Sequence, residues 1–555
     1  MTSPAHGTPP TGVRSPRRRL VRLAVAGLAV LLSVVACGGG GGGEAQTGAD
    51  TGLVVATSQL PMAFGTDGAA ANNIMSLEYG LNTQARLLRN PYVQVGDHLE
   101  QDLTRFEGVL AESYEVSPDG LTYTFHLRRD VRSVVGNPLT ADDVVWSYER
   151  KFANPASPAP SIMASVITDP RNQVRKVDDH TVTFTIAQPG YGATLLSLSA
   201  SAIGSIYDST ELKANATPAD PYAIDWSYSN FRYGFGAYYR SGYTAGQQLV
   251  LSANPNYVFG EPAIKTITYQ VVAAAGTRAN GLRSGDIGFA EQLTPADQAA
   301  LIADDVAFVP TVEKPNNFLI LSFNTTNPTL ANPAVRQAFG YAVPYDQITG
   351  GVYHGRAVQT PGFLASTPSA TGEVPYTYDP DRARSLLASA GHPNGVRLSV
   401  AVSNGNPDIV AAVVQIRDAA RAAGFDITLD EQPPAQFGQT TFTGQYEVFA
   451  FNNFAINLTP QYELNLFLGP QSALNYSKWT NAEFSALYTQ GLSFRDQFGP
   501  EAGSAFSRAE RIALDQAPML WAARIQPTVA LGNGYTGWAL RNDNMADFSM
   551  MSPTP

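Results

Sequence analysis

The chain has 555 residues, 36 Lys plus Arg against 47 Asp plus Glu, and a single cysteine. One cysteine rules out an intramolecular disulfide and a thiolate zinc cluster. A net charge of −11 with no basic run beyond residue 22 argues against nucleic acid, whose binders neutralise phosphates with Lys and Arg. At roughly 100–200 residues per domain, the length predicts a multi-lobed body with ample core.

The first 36 residues read as an export signal. Arg14, Arg17, Arg18, Arg19 and Arg22 make a positive stretch without an acid, and the apolar run 23–36 follows it. That run is too short for a comfortable membrane span. Val34-Val35-Ala36-Cys37 resembles the bacterial lipobox, which implies that Cys37 is acylated and becomes the mature N-terminus. The six glycines 38–43 then read as a flexible tether over 37–51. They are no phosphate loop, since no Lys-Ser/Thr follows and no strand precedes them. Arg17-Arg18-Arg19-Leu20-Val21 is only loosely similar to a twin-arginine signal, so the export route stays open. Loss of residues 1–36 removes five arginines and no acid, leaving a mature charge of about −16.

From residue 53 onward strands and helices mix. Residues 113–116, a turn at Pro118-Asp119-Gly120, and the alternating run 121–127 predict a hairpin. Thr140-Ala-Asp142-Asp143 places a hydroxyl cap and two acids in the first turn of a helix whose apolar face carries Val144, Val145 and Tyr148. Those carboxylates read as partners of the helix dipole, not as an acid/base pair. Asp178-Asp179-His180 reads as a turn opening a strand with Val182, Phe184 and Ile186 inward.

Asn332-Pro333 and Asp379-Pro380 each pair a cap with proline at the first helical position. Val335, Ala338, Phe339 and Ala342 line one face of the first helix, and Ala383, Leu386, Leu387 and Ala390 one face of the second, which stops at Gly391. The alternating run 396–402, a helix through Ile409, Val413, Ile416 and Ala420 ending at Gly424, and a strand over 425–429 predict a βαβ unit with parallel strands. At least one lobe is therefore an open α/β sheet.

No catalytic signature of the G-x-S-x-G, H-E-x-x-H or G-x-x-x-x-G-K-[ST] kind is present. The six histidines lie far apart, with no i, i+4 pair to seed a metal site. No cofactor is expected, and the chain is expected not to be an enzyme. An extracytoplasmic hydrolase with a spatially assembled site, and a signalling or chaperone-like surface receptor on the same fold, stand as alternatives.

Several blocks occur in a characteristic order. They run from Leu110 to Arg128 (Leu-Ala-Glu-Ser-Tyr-Glu-Val-Ser-Pro-Asp-Gly-Leu-Thr-Tyr-Thr-Phe-His-Leu-Arg), Pro138 to Arg150, Tyr233 to Tyr238, Leu249 to Tyr257, Arg283 to Ile287, Phe323 to Ala342 and Tyr378 to Gly391. Together, from about Leu53 to Trp538, they resemble the bacterial extracellular solute-binding proteins of family 5, the oligopeptide, dipeptide and nickel receptors of ABC importers. The resemblance implies a two-lobed α/β fold of the periplasmic-binding-protein type. Lobe one comprises 52–90, 206–312 and 522–555 with an inserted subdomain at 91–205, and lobe two spans 313–521. The crossings near 310–315 and 518–526 form the hinge.

It further implies a lipid-anchored monomer on the outer face of the membrane, which captures peptides or a similar bulky polar solute between its lobes and delivers them to an ABC permease. Ligand-binding candidates are Phe64 and Asp67 in the early loop, Asn452, Asn453, Phe454 and Asn457 in the loop after a lobe-two strand, and Trp521 at the return crossing. Asn453 and Ile456 occupy the positions where oligopeptide receptors carry a Trp and an amine-pairing Asp, a departure that counts against free-amine recognition at that place, because an apolar residue cannot stabilise a desolvated ammonium. The asparagines also suit an ordinary loop, and the aromatics an ordinary core.

Overall fold

A computed structural model describes residues 52–67, 73–230, 232–359, 362–364, 374–470, 472 and 474–555. The expected export signal 1–36, the acylated Cys37 and the tether 37–51 lie outside the described residues.

Two large sheets organise the chain. The first has seven strands in the order Tyr238–Thr244, Gln248–Ala253, Thr266–Val271, Gly52–Thr57, Phe289–Ala290, Ala530–Gly532, Ala307–Phe308. Gly52–Thr57 lies parallel to both neighbours, with Leu53 opposite Ile267 and Val55 opposite Phe289. The second has six strands in the order Ala357–Val358, Met519–Ile525, Phe318–Phe323, Val448–Asn453, Val396–Ser403, Phe425–Gln432. Each sheet has its own core. Val55, Leu251, Ile267 and Phe548 fill one, and Leu321, Phe339, Val400 and Val413 the other. The result is a two-lobed α/β fold.

The local rules hold where they were strongest. Asn332 and Asp379 cap helices Pro333–Ala342 and Pro380–Ser389 by accepting from the N–H of Ala334 and Arg382. Val396–Ser403, helix Pro407–Ala420 and Phe425–Gln432 form the parallel unit, and Gly424 takes the left-handed turn between helix and strand at φ +89°. The hairpin Ala111–Val116 with Thr122–Leu127 belongs to a separate four-stranded sheet with Thr181–Thr185 and Val174–Asp178. At the start of helix Ala141–Ala153, the Asp143 carboxylate accepts from Thr140 N–H at 2.7 Å and from Ser209 N–H at 2.8 Å, while Asp142 points outward to Lys176. The two neighbouring acids thus serve as a buried cap and a surface ion pair.

The chain passes between the large sheets at 309–317 and 526–529. Strand Met519–Ile525 continues in the second sheet, past the expected boundary at residue 521. The two crossings are tied by the Gln526 side chain, which donates to Val312 O at 2.9 Å and accepts from Val312 N–H at 2.8 Å. Arg356 braces the same place through Thr311 Oγ1 and Pro310 O, and Gln298 donates to Pro527 O at 2.7 Å.

Candidate functional site

Where the crossings meet the C-terminal segment, a cavity of about 220 Å³ opens between the lobes. The first-lobe wall is helix Ile74–Thr83, the segment after strand Phe289–Ala290, and the C-terminal stretch around Trp538 and Arg541. The second-lobe wall is Asn317, Asn452 and Phe454. A second cavity of about 160 Å³ adjoins it through Leu540, Arg541 and Asn544 and continues towards Glu100, Lys314 and Leu458. Between them Asn316 stitches three segments together. It donates to Ala455 O at 2.7 Å and Asn542 O at 2.5 Å, and its own carbonyl accepts from Asn544 at 2.7 Å.

The polar floor of the first cavity comes from residues that local sequence reading passed over. Glu78 and Glu291 are each 4% exposed. Glu78 accepts from Tyr269 Oη at 2.8 Å and from Ala546 N–H at 2.8 Å. Burial raises its pKa, opposed by hydrogen bonds from Glu291, the Ala546 amide and Tyr269. Glu291 is driven well above the ordinary carboxyl range, first by burial and then by the charge of Glu78. Arg541 lies beside them, gripped by Asp543 in a two-pronged pair of 3.0 and 2.6 Å. Burial works against that cation and the Asp543 charge more than offsets it, so the guanidinium stays protonated. Among the described residues no group of three His, Cys, Asp or Glu could hold a metal ion.

The expected site residues separate into three sets. Asn452 and Phe454 line the cavity, at the end of strand Val448–Asn453. Asn453 pairs opposite Phe318 within the sheet, and neither it nor Asn457 lines the cavity. Asn457 is fully buried, where its Oδ1 accepts from Thr459 N–H at 3.0 Å and its amide reaches Thr194 O at 3.3 Å.

Phe64, Asp67 and Trp521 also lie outside the cavity's lining. Phe64 packs edge-on against Tyr79 and Tyr243 under the Arg240 guanidinium, 3.9 Å from its ring centre. Asp67 forms a buried ion pair with Arg150. Trp521 stacks on Phe363 at 4.0 Å. One signal for the missed floor was visible: Glu78 is a lone acid in the apolar run Ile74-Met-Ser-Leu-Glu-Tyr-Gly-Leu. Glu291 has no comparable local signature.

Comparison with known proteins fits this architecture. The family model "Bacterial extracellular solute-binding proteins, family 5 Middle" matches residues 105–475. The chain belongs to the family 5 extracellular solute-binding proteins. Among curated relatives, the heme-binding protein A of Haemophilus influenzae is 27% identical over 501 residues, covering 86% of this chain and 88% of the relative. The dipeptide-binding protein of Escherichia coli is 27% identical over 439 residues, covering 74% and 79%. Among solved structures, the Listeria monocytogenes transporter substrate-binding protein CtaP superposes with a TM-score of 0.75 at 20% identity, over 91% of this chain and 99% of that one. DppA of Helicobacter pylori, solved with the peptide STSA, gives 0.72 at 22% identity, over 90% and 98%. The solved neighbours share the fold, and the family's members are solute-binding proteins, not enzymes.

Proposed function

We propose that this solute-binding chain captures peptides or a similar bulky polar solute in the cleft between its lobes and hands it to an ABC permease. The observation that carries the reading is a largely apolar cavity into which a few polar groups converge, Glu78, Glu291 and Arg541 from one lobe and Asn317 and Asn452 from the other. A ligand touching both walls favours the closed form by its differential affinity. The two adjoining cavities, about 220 and 160 Å³, each fall below the usual roughly 300–1,000 Å³ for ligand sites and only together reach its lower end, which favours a short solute. Lobe one is taken as 52–90, 206–312 and the chain after the return crossing, with 91–205 as its inserted subdomain. Anchoring is through acylated Cys37, and the body acts as a monomer on the outer face of the membrane.

The test is ligand linkage. A di- and tripeptide pool at about 100 times Kd should add about 2.7 kcal/mol of stability to the mature protein. Mass spectrometry of the solute released on denaturation should return peptide masses. A pool that leaves the melting temperature unmoved, together with a co-purified solute that is not a peptide, would refute the peptide reading.

A further inference from the structure

Glu78 and Glu291 reach the floor of one cavity from different elements, and the charge of Glu78 pushes up the carboxyl of Glu291. Two carboxylates so placed and so buried cannot both be charged, so the pair holds one proton between them. Glu78 takes its two donors from Tyr269 and Ala546. The Oε2 of Glu291 accepts no hydrogen bond from the protein, and neither does the buried Oδ1 of Asn317, which lines the same cavity from the opposite lobe. A desolvated acceptor without a donor costs about 1–3 kcal/mol, and here two of them border one space.

The backbone beside the pair is held under strain. Gln292 sits in the left-handed region at φ +48°. Its Oε1 accepts from Thr57 Oγ1 at 3.0 Å and from Ser58 N–H at 2.9 Å. The buried Arg278 guanidinium donates to the carbonyls of Glu291 at 2.8 Å and Gln292 at 2.5 Å. These bonds hold the non-glycine residue in that conformation and fix the backbone beside the pair.

We propose that the Glu78–Glu291 pair, with Asn317 across the cleft, receives a primary ammonium group of the solute, whose three N–H donors meet the two carboxyl groups and the asparagine oxygen. The assignment rests on the solute-binding reading above and specifies the chemistry of one end of the solute.

The charge around the pair agrees. Arg541 and Asp543 neutralise each other, Arg278 is turned to backbone carbonyls, and Tyr269 stays neutral because burial and the neighbouring Glu78 charge raise its pKa. With Arg278 counted as a cation, the corner is neutral with the shared proton in place and carries one net negative charge without it. Arrival of R–NH3⁺ breaks the O–H bond of the shared carboxyl proton, which passes to water or a buffer base, and leaves the intact ammonium facing two carboxylates. Contact with Asn317 engages the second lobe in the same step.

The test compares dipeptides with their N-acetylated forms, by calorimetry at pH 7 in buffers of different ionisation enthalpy, on the mature protein and on Glu291→Gln and Glu78→Gln. Wild type should bind the acetylated forms at least tenfold more weakly and release up to one proton per free dipeptide. Each variant that folds should lose both the acetylation penalty and the proton release. Equal binding of the two forms by wild type, or an acetylation penalty that persists in both variants, overturns the ammonium site while peptide capture stands. Should neither form bind, the peptide reading fails and n-hexylammonium chloride decides the site alone. Thermal stabilisation of wild type but not of Glu291→Gln supports it, and an equal effect or none on both overturns it.

Discussion

Asp67 offers a decisive test of where the ligand is held, because its position in the early loop suggested a binding role and its contacts point to a structural one. Its carboxylate pairs with Arg150 Nε, and both side chains are almost fully buried. Arg150 also donates to Tyr222 O and Ser227 Oγ, each at 2.8 Å, and lies over the Tyr207 ring. Burial opposes the Arg150 cation, and the charge of Asp67 more than compensates, so its pKa is raised. Asp67→Asn keeps the shape and leaves that cation without its counter-ion, which costs about 3–5 kcal/mol. At roughly 2.1 cal/mol/K of unfolding entropy per residue, a body of about 500 residues melts with close to 1 kcal/mol/K. Scanning calorimetry should thus show the melting temperature falling by about 3–5 °C. Adding Arg150→Met, which removes the stranded charge, should recover more than half of the loss. Dipeptide affinity should change less than twofold, since Asp67 does not line the cavity. A melting temperature within 1 °C of wild type, combined with a tenfold loss of affinity, would refute the assignment.

Three further expectations concern closure, titration and attachment. At Gly190 an added Cβ would stand 2.1 Å from the carbonyl oxygen of Leu492, where the inserted subdomain meets the second lobe. Gly190→Ala should therefore oppose closure by about 1–3 kcal/mol and weaken dipeptide binding about 10- to 100-fold by titration calorimetry; unchanged affinity with a several-degree drop in melting temperature would mean the contact is permanent. Burial lowers Lys151 from 10.5 to about 7. Between pH 7 and 10.5 the unfolded chain then binds more protons, and stability rises with pH at about 1.4 kcal/mol per unit. Lys151→Met should flatten that slope in urea titrations at pH 7, 8 and 9, and parallel profiles for the two proteins would contradict it. Cys37→Ser should move the protein from the membrane fraction to the soluble fraction on immunoblots, and retention on the membrane would exclude acylation at that cysteine.

The elements that could be read from the sequence are those whose causes are local. A cap, a proline at the first helical turn and a 3.6-residue apolar repeat lie within a dozen residues of one another at Asn332 and Asp379, and the alternating run 396–402 needs no distant partner to be recognised. Strands such as Phe289–Ala290 and Ala530–Gly532 exist only because they pair with each other and with chain far away, so their own residues carry no strand pattern. The loop 58–67 depends on distant chain for a related reason. Phe64 and Asp67 look like exposed ligand groups until Tyr207, arriving from the far side of the inserted segment, accepts from Thr66 N–H at 2.9 Å and folds the loop inward.

The cleft is the extreme case, because its walls come from the segments around 78, 291, 317, 452 and 541 and no window of sequence contains two of them. What brings those walls together is the pair of crossings, and there Gln526 bonds both the N–H and the carbonyl of Val312. A side-chain amide imitating one rung of a sheet ladder ties the two connections to each other at the point where the chain passes between the lobes. An acceptor on each wall then needs only one donor-rich group between them to favour the closed form. The same arrangement explains why a buried carboxyl pair can persist on the cavity floor: its desolvation weakens the empty state and is relieved when a cation takes the place of the shared proton.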